Sequence, residues 1–107
     1  MIDRLEALLA QGRDSAPLRF GLGNAYLARG DADTARSHLA RAVELDPGYS
    51  AAWKLLGKAL AAAGREHEAV DAWSHGIDAA QTRGDVQAAR EMEVFRRRAQ
   101  RAIDRGD

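Results

Sequence analysis

The sequence predicts an all-α fold of about six helices, arranged as two stacked helical hairpins with a further helix over each end. Three observations lead there. The chain repeats itself at a spacing of 34 residues. Each repeat is punctuated by glycine or proline where a helix must stop. No stretch carries the signals of a strand. Shifting the chain by 34 residues pairs Leu22 with Leu56, Gly23 with Gly57, Ala25 with Ala59, Ala28 with Ala62, Gly30 with Gly64 and Ala35 with Ala69. Both helix-breaking glycines share one register, which a chance match in a helical chain does not readily give.

Each element then follows in chain order. Residues 2–11 place Ile2, Leu5, Leu8 and Leu9 on one helical face and stop at Gly12. Ser15 is a cap for a helix over 16–29, with Pro17 in its first turn, where a missing N–H costs nothing. Gly30 ends it and Asp31 caps the helix over 31–45, which carries Ala35, Leu39, Ala42 and Val43 at helical spacing. Asp46-Pro47-Gly48 closes the first unit. In the second unit Ser50 is the expected cap of the helix over 50–63, with Trp53, Leu56, Gly57 and Leu60 as its buried stripe. The next helix, over 66–82, carries Ala69, Trp73, Gly76 and Ile77. After Gly84-Asp85 a last helix over 85–104 places Val86, Ala89, Met92, Phe95, Ala99, Ala102 and Ile103 on one side. The expected organisation is one domain over 1–107: a capping helix in 1–15, units at 16–49 and 50–83, and a second capping helix in 84–107.

Composition narrows the function. Sixteen basic residues balance sixteen acidic ones, so no overall field steers the chain to nucleic acid or an anionic membrane. The absence of cysteine excludes disulfides, thiolate catalysis and cysteine zinc sites. The start of the chain is too charged for a signal-peptide core, and no apolar run approaches the ~20 residues that span a bilayer. A cytoplasmic location is expected. Much of the apolar content is alanine, so the two Trp, two Tyr and two Phe are the expected core anchors.

The residues Trp53, Leu56, Gly57, Leu60, Gly64, Ala69, Trp73 and Gly76 resemble the tetratricopeptide repeat. So do Leu22, Gly23, Tyr26, Gly30, Ala35, Leu39, Ala42 and Pro47 in the first unit. The departures are Arg19 at the family's Trp place, Leu60, and Gln81 in place of a proline; the resemblance covers 16–83. It implies an α-α superhelix in which Gly23 and Gly57, with Ala35 and Ala69, let paired helices meet backbone to backbone. It also implies a concave groove lined by the first helix of each pair.

The groove-facing places fall on Pro17, Phe20, Asn24, Leu27 and Ala28, then on Ala51, Lys54, Lys58, Ala61 and Ala62, with Tyr49 at the joining loop. From these, Phe20, Leu27 and Tyr49 are expected to anchor a peptide's apolar side chains, and Asn24, Lys54 and Lys58 its backbone or acidic groups. The competing reading is a solvated lysine face, with Phe20 and Tyr49 packed against the terminal helices. Only Asn24 stands at a place of the family's carboxylate clamp, with Phe20 and Leu55 at two others, so a chaperone-tail receptor is not expected. His67, Asp71 and His75 lie at i, i+4, i+8 but on an outward face, and His38 has no evident partner. No nucleophile–base pair or phosphate-binding loop can be named. The expectation is therefore a non-enzymatic scaffold for a peptide or protein partner, with no cofactor and no metal. The chain is expected to be a monomer or a weak homodimer, and two alternatives remain: self-association through Met92, Val94 and Phe95; and nucleic-acid contact through Arg96, Arg97, Arg98 and Arg101.

Overall fold

The computed structural model describes residues 1–106; Asp107, which closes the last expected segment, lies outside the described residues. Six helices follow one another: α1 (Ile2–Ala10), α2 (Ala16–Ala28), α3 (Ala32–Leu45), α4 (Ser50–Ala62), α5 (Glu66–Arg83) and α6 (Val86–Asp104). The helix ends agree with the sequence reading to within a residue. Ser15 Oγ accepts from Leu18 N at 3.2 Å, Asp31 Oδ1 from Thr34 N at 3.2 Å, and Asp85 Oδ1 from Ala88 N at 3.1 Å. Ser50 is a correction. It is the first residue of α4 and buried, while Tyr49 holds the cap position without a side-chain cap bond.

The two hairpins turn on equivalent glycines. Gly30 and Gly64 have φ of 82° and 77°, the left-handed region that glycine enters without a Cβ penalty. Around them Asp31 N donates to Tyr26 O at 3.0 Å and Arg65 N to Leu60 O at 2.8 Å. This six-to-one bond reverses the chain tightly and satisfies carbonyls that the helix end leaves open. Hence α2 lies against α3, and α4 against α5. The hairpins stack through α3 on α4, while α6 packs on both α5 and α4 and α1 packs on α2. The molecule measures 44 × 31 × 18 Å, and 18 Å is the thickness of two helix layers. One layer holds α2, α4 and α6; α3 and α5 lie behind it.

The packing inside each hairpin differs from a backbone-to-backbone seam. A Cβ on Gly23 would sit 2.4 Å from Leu39 Cγ, and a Cβ on Gly57 2.2 Å from Trp73 Nε1. Each glycine is a notch that receives a large side chain from the partner helix. Gly76 does the same one step along, where a Cβ would meet Met92 Sδ at 2.5 Å and Trp53 Cβ at 2.7 Å. These three notches stitch α2 to α3, α4 to α5 and α5 to α6.

The aromatic residues also correct the expectation. Trp73 alone among the Trp, Tyr and Phe side chains is buried; Phe20, Tyr26, Tyr49, Trp53 and Phe95 are half-buried at the core's edge. The core is built of alanine with Leu22, Leu39 and Met92 as its largest fully enclosed side chains. Val86, expected on the inner stripe of α6, is 58% exposed. Helix α1 contributes no buried residue at all.

Candidate peptide-binding face

The side chains expected to line a groove sit on or beside the α2–α4–α6 layer. Phe20 from α2 and Tyr49 from the α3–α4 loop stack on each other, with ring centroids 5.0 Å apart and planes at 29°. They meet because Pro47-Gly48 turns the chain back toward α2 just before α4 begins. Burial pushes the Tyr49 phenol above its ordinary pKa, with Asp46 adding to the effect. Both rings also pack against the edge of the apolar core. Leu27 is half-buried and Asn24 exposed further along α2.

The two lysines have separate fates, both decided by α6. Lys54 Nζ donates to Glu91 Oε1 at 3.1 Å, an ion pair between α4 and α6. Lys58 places its ammonium 4.9 Å over the Phe95 ring. Lys54 is thus engaged within the chain, whereas Lys58 is exposed and has no ion pair among the described residues. The sequence register carried a signal for this contact: Phe95 lies 34 residues beyond Ala61, itself a groove-facing place. Helix α6 therefore stands where the first helix of a third unit would stand.

A polar cluster at the opposite end was not legible at all. Arg19, at the place where the family has Trp, pairs its Nε with Asp14 Oδ1 at 2.7 Å and bonds His38 Nδ1 at 3.1 Å. Tyr26 stacks on the His38 ring at 5.5 Å and donates its hydroxyl to Glu6 Oε1 at 3.0 Å. His38, expected to stand alone, is buried among these partners, with Nε2 3.6 Å from Glu6 Oε1. The cluster ties α1 to the first hairpin, where apolar burial is thin. Because a guanidinium can only donate, His38 Nδ1 accepts and the ring proton resides on Nε2, facing Glu6.

Burial, and then the Arg19 charge, holds the His38 imidazole below its ordinary pKa. The folded state binds fewer protons than the unfolded state once pH falls below roughly 6.5, so the contribution of neutral His38 is present above that pH. It is lost as pH falls toward the lower folded-state value. Urea midpoints for the wild type should drop between about pH 7.5 and pH 5.5, and His38→Gln should flatten that drop. An identical slope in both proteins would assign the pH dependence elsewhere.

His67 and His75 are exposed on α5. His75 is used internally, its ring stacked 4.9 Å from that of Trp53 and its Nδ1 2.9 Å from Asp71 O. Trp53 in turn donates its indole N–H to Pro47 O at 2.8 Å. Among the described residues no group of three or more His, Asp or Glu side chains is placed to hold a metal ion. No described helix is long and apolar enough to cross a membrane.

Comparison with known proteins agrees with this architecture. The tetratricopeptide repeat family profile matches residues 26–92, reaching into α6. A TPR repeat-containing protein of Pseudomonas aeruginosa is 57% identical over 102 residues, which cover 95% of this chain and 97% of that one. A protein of Bordetella parapertussis solved in solution superposes with a TM-score of 0.81 at 48% identity, covering 95% of this chain and 89% of that one. The crystal structure of a tetratricopeptide repeat domain protein from Salinibacter ruber gives a TM-score of 0.74 at 26% identity, covering 80% and 97%. With its paired helices, glycine notches and recurring register, the chain belongs to the tetratricopeptide repeat family, whose members generally mediate protein–protein interaction.

Proposed function

We propose that this protein is a non-enzymatic scaffold that holds a peptide or protein partner on the open face of the α2–α4–α6 layer. The observation that carries the reading is the mixture on that face. The stacked Phe20 and Tyr49, with Leu27, offer apolar area that is only half-covered, beside the exposed Asn24 and Lys58. Such a surface binds an extended chain by burying its apolar side chains while polar groups fix its backbone. Lys54 acts through its ion pair with Glu91, holding α6 in place beside α4.

The test is a selection of random peptides on the immobilised protein, followed by titration of the selected peptides into ¹⁵N-labelled protein. Amide shifts should concentrate on Phe20, Asn24, Leu27, Tyr49 and Lys58. Shifts restricted to the outer arginines of α6, with those five silent, would overturn the assignment. Self-association is the weaker reading. Val94 is 38% exposed, but it is flanked at helical spacing by exposed Arg90, Arg97, Arg98 and Arg101, which oppose a second copy of the same face.

A further inference from the structure

At the far end of this layer, α6 with its 19 residues outruns α4 with its 13. The overhang leaves a cavity of about 400 Å³ above the α4–α5 turn. Trp73, Phe95 and Ala61 contribute its apolar lining, while Lys58, Arg98 and Glu66 supply the charges. Two cations therefore face one carboxylate. Neither Lys58 nor Arg98 has an ion-pair partner among the described residues, so neither must give one up to meet an incoming anion. Lys58, though exposed, keeps its ammonium over the Phe95 ring, at the edge of the apolar lining.

We infer that this cavity takes an apolar side chain of a partner peptide whose neighbouring residue carries a carboxylate. The side chain rests on Phe95 and Ala61, with only the edge of Trp73 at the base, and the carboxylate faces Lys58 and Arg98. The inference rests on the proposed peptide-binding role and specifies the chemistry that this face selects. An apolar group alone would leave one positive charge in excess of Glu66 unanswered, and an acidic group alone would leave the apolar lining wet. Both features in adjacent residues satisfy the site.

The test uses three blocked hexapeptides: one with leucine followed by glutamate at its centre, one with lysine in place of the glutamate, and one with serine in place of the leucine. Each is titrated into ¹⁵N-labelled protein. The leucine–glutamate peptide should shift the amides of Lys58, Ala61, Phe95 and Ala102 and the indole N–H of Trp73. The lysine peptide should bind roughly five-fold more weakly and the serine peptide roughly ten-fold more weakly. Lys58→Glu with Arg98→Glu should abolish the preference for glutamate while leaving the rest of the spectrum in place, since both side chains are exposed. Equal binding of the glutamate and lysine peptides overturns the inference. So does a response on Phe20, Asn24 and Leu27 with the cavity silent, which leaves the peptide-binding role standing. Silence across the whole layer with all three peptides overturns the inference as well, and the peptide selection then decides the role itself. Shifts at the cavity that grow on concentrating the protein alone, with a doubled mass in sedimentation, would make the occupant a second copy and refute the peptide assignment.

Discussion

Replacing Trp73 by alanine should lower the unfolding free energy by about 3–5 kcal/mol, a large share of the ~5–15 kcal/mol that keeps a small domain folded. The side chain is 4% exposed, lies in the notch of Gly57, and donates its indole N–H to Lys54 O at 3.1 Å. Alanine would open a void between α4 and α5 and remove part of the lining of the cavity beside α6. The partner substitution shows whether the notch is the cause. In the wild type, Gly57→Ala should cost about 1–3 kcal/mol, because the new methyl would meet indole atoms and the backbone must shift. In the Trp73→Ala background the same change meets no indole and gains alanine's helix propensity, worth about 1 kcal/mol. The two substitutions should therefore be strongly non-additive in urea unfolding, by more than about 1 kcal/mol. Additive losses would mean that the glycine serves some purpose other than admitting Trp73.

This coupling shows where sequence reading succeeds and where it stops. The glycines, the caps and the repeat register are local or periodic features, so the helices and their ends were legible within a residue. What each glycine admits was not. Gly57 looked like a place for backbone contact until the orientation of Trp73 was known, because a 34-residue match gives position and no direction. The half-buried state of Trp53 follows from its bond to Pro47 O and its stack on His75, contacts with no periodic trace. The Arg19–His38 bond spans 19 residues and the Tyr26–Glu6 bond 20, each joining different helices. Arg19 looked like a departure from the family pattern; it anchors Asp14 and His38 instead. At the candidate face, Phe20, Tyr49 and Lys58 came from the family's groove-facing places, whereas Phe95 and Arg98 were read on a capping helix, as part of a dimer surface and of an arginine cluster. They belong beside Lys58 because α6 occupies the next first-helix position, which the same 34-residue step could have indicated from Ala61.

That placement makes α6 part of the core, and Met92 is where it can be tested. Its side chain is fully buried, with the sulfur seated in the notch of Gly76 on α5. Met92→Ala should cost about 2–5 kcal/mol, since the cavity forms between two long helices whose spacing is set by other contacts. A helix that merely shielded the end of the stack would lose far less. Val94, two residues on and 38% exposed, provides the control: Val94→Ala should stay within about 0.5 kcal/mol of the wild type. The two variants keep the same helix, the same arginines and nearly the same propensity, so their difference reports burial against α5. Hydrogen exchange should agree, with Met92→Ala accelerating amides in both α5 and α6. If Met92→Ala matched Val94→Ala in cost, or if exchange rose in α6 alone, α6 would be a detachable cover, and Lys58 would lack a fixed wall opposite it.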